Sequence, residues 1–137
     1  MSNKITITAT INAGSKKVWD YYINPEHIIK WNFADPSWQC PSASNYMRVG
    51  GKYSARMEAK DGSFGFDFEA IYSKIISGES FTYGIPDGRQ VTVVFTNNSN
   101  QTVVTITFDA ETQNSLEMQK NGWQAILNNF KSYTEAN

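Results

Sequence analysis

The sequence predicts an α+β fold in which a curved antiparallel sheet of six or seven strands wraps around a long C-terminal helix, with two short helices after the first strand. Three observations carry that expectation. Ring-rich and β-branched segments alternate with a period of two between short turn signals, the mark of consecutive antiparallel strands. A proline-free stretch over 113–135 carries apolar residues at helical spacing. The order is strand, two helices, about six strands, then that helix, so the last helix is the only element large enough to cover one face of the sheet.

Ile5, Ile7, Ala9 and Ile11 alternate with Thr6, Thr8 and Thr10, the pattern of a half-buried strand. Ser15 is placed to cap a short helix through Tyr22, and Asn24 to cap a second, with Pro25 at its first position and 26–30 as its body. Over 31–46 the composition turns to Pro, Ser and Asn. Pro36 and Pro41 bar a long helix there, and a loop with one irregular strand around 37–43 is expected. Gly50-Gly51 opens a strand with Tyr53, Ala55 and Met57 on one face, and Asp61-Gly62 turns it back. In the following strand Phe64, Phe66, Phe68, Ala70 and Tyr72 share the face expected to be buried, opposite Gly65, Asp67 and Glu69. Turns at Ser77-Gly78, Asp87-Gly88 and 97–100 separate three more strands, near 80–84, 89–96 and 101–109.

The last helix aligns Leu116, Trp123, Ile126, Leu127, Phe130 and Tyr133. At 1.5 Å per residue it is about 35 Å long, against a radius of gyration of about 14 Å for a compact domain of this length, so it crosses the whole domain. No linker, repeat or low-complexity tract interrupts the chain, and 1–137 is read as one domain.

Composition narrows the function. Aromatics make up 14% of the chain, with 4 Trp, 7 Tyr and 8 Phe, so rings must fill much of the interior. The 12 Lys and Arg nearly balance the 13 Asp and Glu and neither sign runs in a block, which leaves no basic footprint for nucleic acid or anionic lipid. Cys40 is the only cysteine; it excludes an intramolecular disulfide and a thiolate metal cluster and fits a reducing compartment. The first residues lead into the Thr and Ile alternation without the apolar core of a signal peptide, and no apolar run approaches the ~20 residues of a membrane span. A cytoplasmic protein is expected, monomer or homodimer, with no nucleic-acid and no membrane partner.

Several short motifs occur in a telling order: Val18-Trp19, Asn24-Pro25-Glu26-His27 followed by Trp31, Met47-Arg48-Val49-Gly50-Gly51, Asp61-Gly62, and Gly122-Trp123 with Leu127. Across nearly the whole chain they resemble the domains related to the activator of the ninety-kilodalton heat-shock protein's ATPase, within the START-like and polyketide-cyclase-like (SRPBCC) group. The resemblance implies a helix-grip fold with a hydrophobic pocket. Its members range from co-chaperone domains to proteins of unknown role, so it speaks to fold more than to function. The family often has an acidic residue just before the Arg-Val-Gly-Gly segment, where this chain has Asn45-Tyr46.

Where rings of sheet and helix fail to meet they leave an apolar cavity; where they meet they fill the core. On the first reading the lining is Tyr53, Met57, Phe66, Phe68, Tyr83, Phe95, Trp123, Leu127 and Phe130, with Gln119 as a polar group aimed at a ligand. Trp31, Phe33 and Trp38 lie in the loop-rich segment, where rings gate a cavity mouth, contact a partner or cap the core. Trp123→Ala is expected to cost about 3–5 kcal/mol if its ring is core. Gly122 is read as permitting close approach of the helix to the sheet.

His27, the only histidine, is read as a surface or packing residue, the alternative being proton transfer at a cavity mouth. One His and one Cys cannot supply the three or four ligands zinc takes, and neither metal nor cofactor is expected. Arg56, Glu58, Asp67 and Glu69 fall on the solvated face; Glu69 becomes a general base only if the strand register is reversed and three Phe rings are exposed. Arg48-Val49-Gly50-Gly51 lacks the helix and the Lys-Ser/Thr pair of a phosphate loop, so its glycines serve a turn or bulge. No Gly-x-Ser-x-Gly elbow occurs, and no catalytic residue is assigned. Binding of a small apolar molecule ranks first, a protein-interaction module resembling the co-chaperone domain second, and a cyclase- or hydrolase-like enzyme third.

Overall fold

The structure is a computed structural model that describes residues 3–137. Its seven strands are β1 (Lys4–Ile11), β2 (Trp38–Asn45), β3 (Lys52–Ala59), β4 (Gly65–Ile76), β5 (Ser80–Gly84), β6 (Gln90–Asn98) and β7 (Gln101–Asp109). They form one antiparallel sheet in the order β1-β7-β6-β5-β4-β3-β2. Helices α1 (Ser15–Ile23) and α2 (Pro25–Trp31) follow β1, and α3 (Leu116–Ala136) ends the fold. The first and last strands lie side by side, from Lys4 opposite Asp109 to Ile11 opposite Thr102, while hairpins carry the sheet outward to β2 at the far edge. Among the described residues no helix is long and apolar enough to cross a membrane.

Local chemistry sets the element ends. Asn24 caps α2, its side-chain oxygen accepting from the Glu26 N–H at 3.0 Å, with Pro25 at the first helical position. Ser115 caps α3 in the same way through the Met118 N–H at 3.1 Å. That helix starts at the first residue of its apolar stripe, three residues after the start of the proline-free stretch at 113, because the Gln113 and Asn114 N–H groups donate to the Glu111 carboxylate and hold a loop. Ser15 does not cap α1: the extended residue is Gly14, which has no side chain to offer, and Ser15 is already helical. In β2 the pairing with β3 slips between Gln39 and Ser42, where Pro41 lacks the N–H a regular ladder needs. Gly50 sits at φ +84, and a Cβ on Gly51 would collide with the Tyr46 carbonyl oxygen and lie 2.9 Å from that of Arg48, so this turn requires both glycines.

The sheet buries its concave face. Alternate residues of β1 (Ile5, Ile7, Ile11), β6 (Val91, Val93, Phe95) and β7 (Val104, Ile106, Phe108) meet Leu127 and Phe130 of α3. The opposite face of β3 and β4 is solvated, with Arg56 pairing Glu58 at 3.1 Å and Asp67 at 3.5 Å, and Lys52 pairing Glu69 at 2.9 Å. Exposed pairs of this kind contribute about 0–1 kcal/mol each. One expectation fails on the inner face. Ala70 and Tyr72 are buried, but Phe66 is 43% and Phe64 60% exposed. The reason is coverage: α3 lies along β1 and α2 along β2, so no helix reaches the start of β4.

Gly122 also differs from expectation. A Cβ there would meet nothing within 4 Å, so its lack of a side chain is not what brings the helix to the sheet. The contact that seats α3 is made by the next residue, where the Trp123 indole stacks on Phe108 of β7 at 4.1 Å and 14°.

Candidate functional site

Because α3 is held over the β1 and β7 side and α1 lies over β6, the β3–β5 part of the curved sheet has no helix packed closely against it. A cavity of about 270 Å³ lies there. Its floor comes from inward-facing positions of three neighbouring strands: Tyr53 and Met57 of β3, Phe66, Phe68 and Tyr72 of β4, Phe81 and Tyr83 of β5. Trp123, Ile126 and Leu127 of α3 form one side. Tyr22 and Ile23 of α1, with Trp31 and Asn32 at the end of α2, form another. Ile106 of β7 closes the space behind, and Ile85 and Arg89 of the β5–β6 turn reach it from the rim.

Of the residues singled out in the sequence, Trp31, Tyr53, Met57, Phe66, Phe68, Tyr83, Trp123 and Leu127 stand on this wall. Five others do not. Phe95 lies beneath α1, edge-on to Trp19 at 5.1 Å and to Tyr22 at 5.5 Å. Phe130 is fully buried behind the wall, against Trp31 at 4.9 Å and Tyr22 at 5.0 Å. Phe33 faces a separate shallow groove with Pro36, Ala125 and Asn129. Trp38 sits outside, edge-on to Phe64 at 6.0 Å and to Phe66 at 6.4 Å, and so braces an exposed ring that does belong to the wall. Gln119 is turned away from any ligand: its Oε1 accepts from the Glu111 N–H at 2.8 Å and its Nε2 donates to the carbonyls of Glu111 (3.1 Å) and Asn114 (2.9 Å). A buried amide must satisfy its own hydrogen bonds, and this one does so by clamping the loop into α3.

The wall residues that sequence reading missed fall into two groups. Tyr72, Phe81, Ile106 and Ile126 continue the same period-two or helical pattern as residues already singled out, so the signal for them was present. Tyr22, Ile23, Asn32, Ile85 and Arg89 come from helix ends and a turn, where no periodicity says which way a side chain points.

Chemically the wall is apolar with a phenolic centre. It contains no His, Asp or Glu. The Tyr72 hydroxyl donates to Asn45 Oδ1 at 2.7 Å. The hydroxyls of Tyr22, Tyr53 and Tyr83 have no partner among the described residues. Burial pushes the ionisation of all four phenols upward, and their mutual proximity raises Tyr22, Tyr53 and Tyr83 further, so each is a neutral O–H at physiological pH. Asn32, also buried, donates through Nδ2 only to sulfur: Met57 Sδ at 3.5 Å and Cys40 Sγ at 4.0 Å. Burial raises the Cys40 thiol above its usual range, so it is not poised as a nucleophile. At the rim, Arg89 Nε donates to Asp87 Oδ2 at 2.7 Å.

His27 plays no part in this wall. Its ring stacks on Tyr21 at 3.9 Å and 16°, and its Nδ1 is hydrogen-bonded to the Tyr133 hydroxyl at 2.7 Å, tying α2 to the end of α3. Among the described residues no group of three or more His, Cys, Asp or Glu is arranged to hold a metal ion.

The family model of Activator of Hsp90 ATPase homolog 1-like (AHSA1) proteins matches residues 12–135. The chain belongs to this family. Among solved structures, that of an AHSA1-like protein from Aeromonas hydrophila is 39% identical, with a TM-score of 0.91 over 98% of this chain and 93% of that one. The solution structure of a protein from Cytophaga hutchinsonii is 46% identical, with a TM-score of 0.84 over 97% and 92%. A Nitrosomonas europaea protein at 16% identity still reaches a TM-score of 0.83 over 97% and 94%, a likeness of fold alone. No curated protein matches.

In this AHSA1-like chain, Asn45 stands ahead of the Arg48-Val49-Gly50-Gly51 turn. Its amide accepts from the Tyr72 hydroxyl and at the same time donates from Nδ2 to the Ile23 carbonyl at 2.7 Å. A carboxylate has no donor for the second bond. The amide therefore joins α1 to the sheet at the edge of the cavity.

Proposed function

We propose that this AHSA1-like domain binds a small, mostly apolar molecule in the cavity between β3–β5 and α3. The observation that carries the reading is unfilled volume. Protein interiors are close-packed, with few voids larger than a water molecule, whereas this space holds about 270 Å³. Ring faces bordering a void lack partners on one side, and an occupant of matching shape restores those contacts. Ligand pockets run from roughly 300 Å³ upward, so the occupant is compact rather than a long acyl chain.

Trp31 and Trp123 stand on the wall and report occupancy directly. Titration with small aromatic and aliphatic compounds is expected to change tryptophan emission saturably and to raise the melting temperature. By linkage, ligand at a hundred times its Kd adds about 2.7 kcal/mol to stability. A broad screen that moves neither signal refutes the reading.

A role as a protein-interaction module resembling the co-chaperone domain is favoured by one different feature. Trp38, Phe64 and Phe66 form a ring cluster that extends outward from the cavity wall, where Phe66 stands, to Phe64, which is 60% exposed. On this reading Phe64→Ser abolishes recovery of a reproducible partner from native lysate and leaves small-molecule binding intact; recovery unaffected by the substitution counts against it.

A further inference from the structure

We infer that the occupant of the cavity is an uncharged molecule bearing a carbonyl-type hydrogen-bond acceptor, which the hydroxyls of Tyr53 and Tyr83 receive. This rests on the binding reading above and specifies the chemistry of its ligand.

Tyr53 is 9% and Tyr83 6% exposed, both border the cavity, and their rings lie parallel at 5.7 Å and 14°. Tyr72, between them in the sheet order, spends its hydroxyl on Asn45, but neither Tyr53 nor Tyr83 has a protein partner among the described residues. Nor are their oxygens sealed off: among the described residues, Thr134 Oγ1 is the buried side-chain polar atom that is both unpartnered and closed to open space. The open space the two phenols meet is therefore the cavity they border. A buried polar group without a partner is costly and uncommon in native proteins; Tyr22 carries a third such hydroxyl on another side of the cavity, and the two on the sheet floor, whose rings lie parallel, mark the place where a ligand atom completes the bonding.

The chemistry of that atom follows from what the wall offers. A neutral phenol is a good donor, and a carbonyl oxygen carries two lone pairs, enough for two such donors. An anion is disfavoured. Entering the cavity would strip its water, and the only cationic side chain on the wall, Arg89, lies at the rim with Asp87 already at 2.7 Å. The same desolvation keeps the phenols themselves un-ionised. A ring or short alkyl body would occupy the apolar remainder.

Three probes of one size separate the possibilities: acetophenone, α-methylstyrene, in which a methylene replaces the carbonyl oxygen, and benzoate. Their Kd values are measured by calorimetry on the intact chain, on Tyr53→Phe/Tyr83→Phe, and on Tyr83→Phe alone in case the double variant fails to fold. The expected result is that the acetophenone-to-α-methylstyrene affinity ratio falls about ten-fold in the double variant, about 1.4 kcal/mol, and part-way in the single one, with benzoate weakest on the intact chain. A ratio that stays constant across the three proteins, or benzoate binding more tightly than acetophenone, overturns the inference while the binding reading stands. Failure of both neutral probes to bind overturns the binding reading and the inference with it.

Discussion

Replacing Trp123 with alanine tests how α3 is seated and whether the space beside it is open. The indole is half-buried, with Phe108 stacked against one face at 4.1 Å and the cavity on another side. A tryptophan enclosed in a core costs about 3–5 kcal/mol to truncate, part of it for the hole left behind. Here the hole already exists, so the loss comes from the packed face: about 80 Å² of ring at about 25 cal/mol/Å² is about 2 kcal/mol, and the stack adds about 0.5–1.5 kcal/mol. The expected cost is about 2.5–3.5 kcal/mol, read as a drop in the urea midpoint at unchanged slope. Against a typical total of about 5–15 kcal/mol the variant remains folded. A cycle with Phe108→Leu isolates the stacking part as a coupling of about 0.5–1.5 kcal/mol. A loss below about 1 kcal/mol would mean the ring does not seat the helix; one of 5 kcal/mol or more, by the core figure above, would mean it is enclosed and the cavity filled.

Two glycines are expected to respond in opposite directions. Gly51→Ala drives a Cβ into the carbonyls of Tyr46 and Arg48 and costs more than about 2 kcal/mol, whereas Gly122→Ala meets open space in a helix interior and gains about 0.5–1 kcal/mol; both are read by chemical denaturation. Thr134→Val removes a fully buried hydroxyl that has no partner among the described residues, and the melting temperature is expected to rise by the equivalent of about 1 kcal/mol; a fall would show that the hydroxyl is bonded in solution. Alkaline titration reads the phenols. Tyr22, Tyr53, Tyr72 and Tyr83 have folded-state pKa values raised above 10.0, so stability is undiminished below about pH 10 and is lost as pH climbs toward those raised values, because only the unfolded chain ionises. Phenolate absorbance of these four should therefore appear only as circular dichroism reports unfolding, and their ionisation in the folded chain contradicts the burial assigned to them.

Much of the architecture was legible because it is periodic. The alternation in β1 and β3 named the inward residues correctly, and Asn24-Pro25 and Asp61-Gly62 marked a helix start and a turn. The same rule over-reached at Phe64 and Phe66. Alternation states which residues share a face, but burial needs a second layer over that face, and at the start of β4 none arrives. Gln119 misled for a related reason: a polar residue beside an apolar stripe is as well explained by a loop it must hold as by a ligand it must meet, and Glu111 and Asn114 are the groups it holds.

The sequence by itself determined the order of elements, the antiparallel sheet, the amphipathic helix and the membership of a family, since each of these is written in local spacing and short motifs. Only the tertiary structure decided that the helix rests on β1 and β7 through Trp123 and Phe108, which leaves the floor of β3–β5 uncovered. It alone also separated Tyr72, whose hydroxyl is spent on Asn45, from Tyr53 and Tyr83, whose hydroxyls have no partner among the described residues. The physical reason is that volume and hydrogen-bond partnership belong to pairs of residues distant in the chain. A void is what remains after every such pair has been placed.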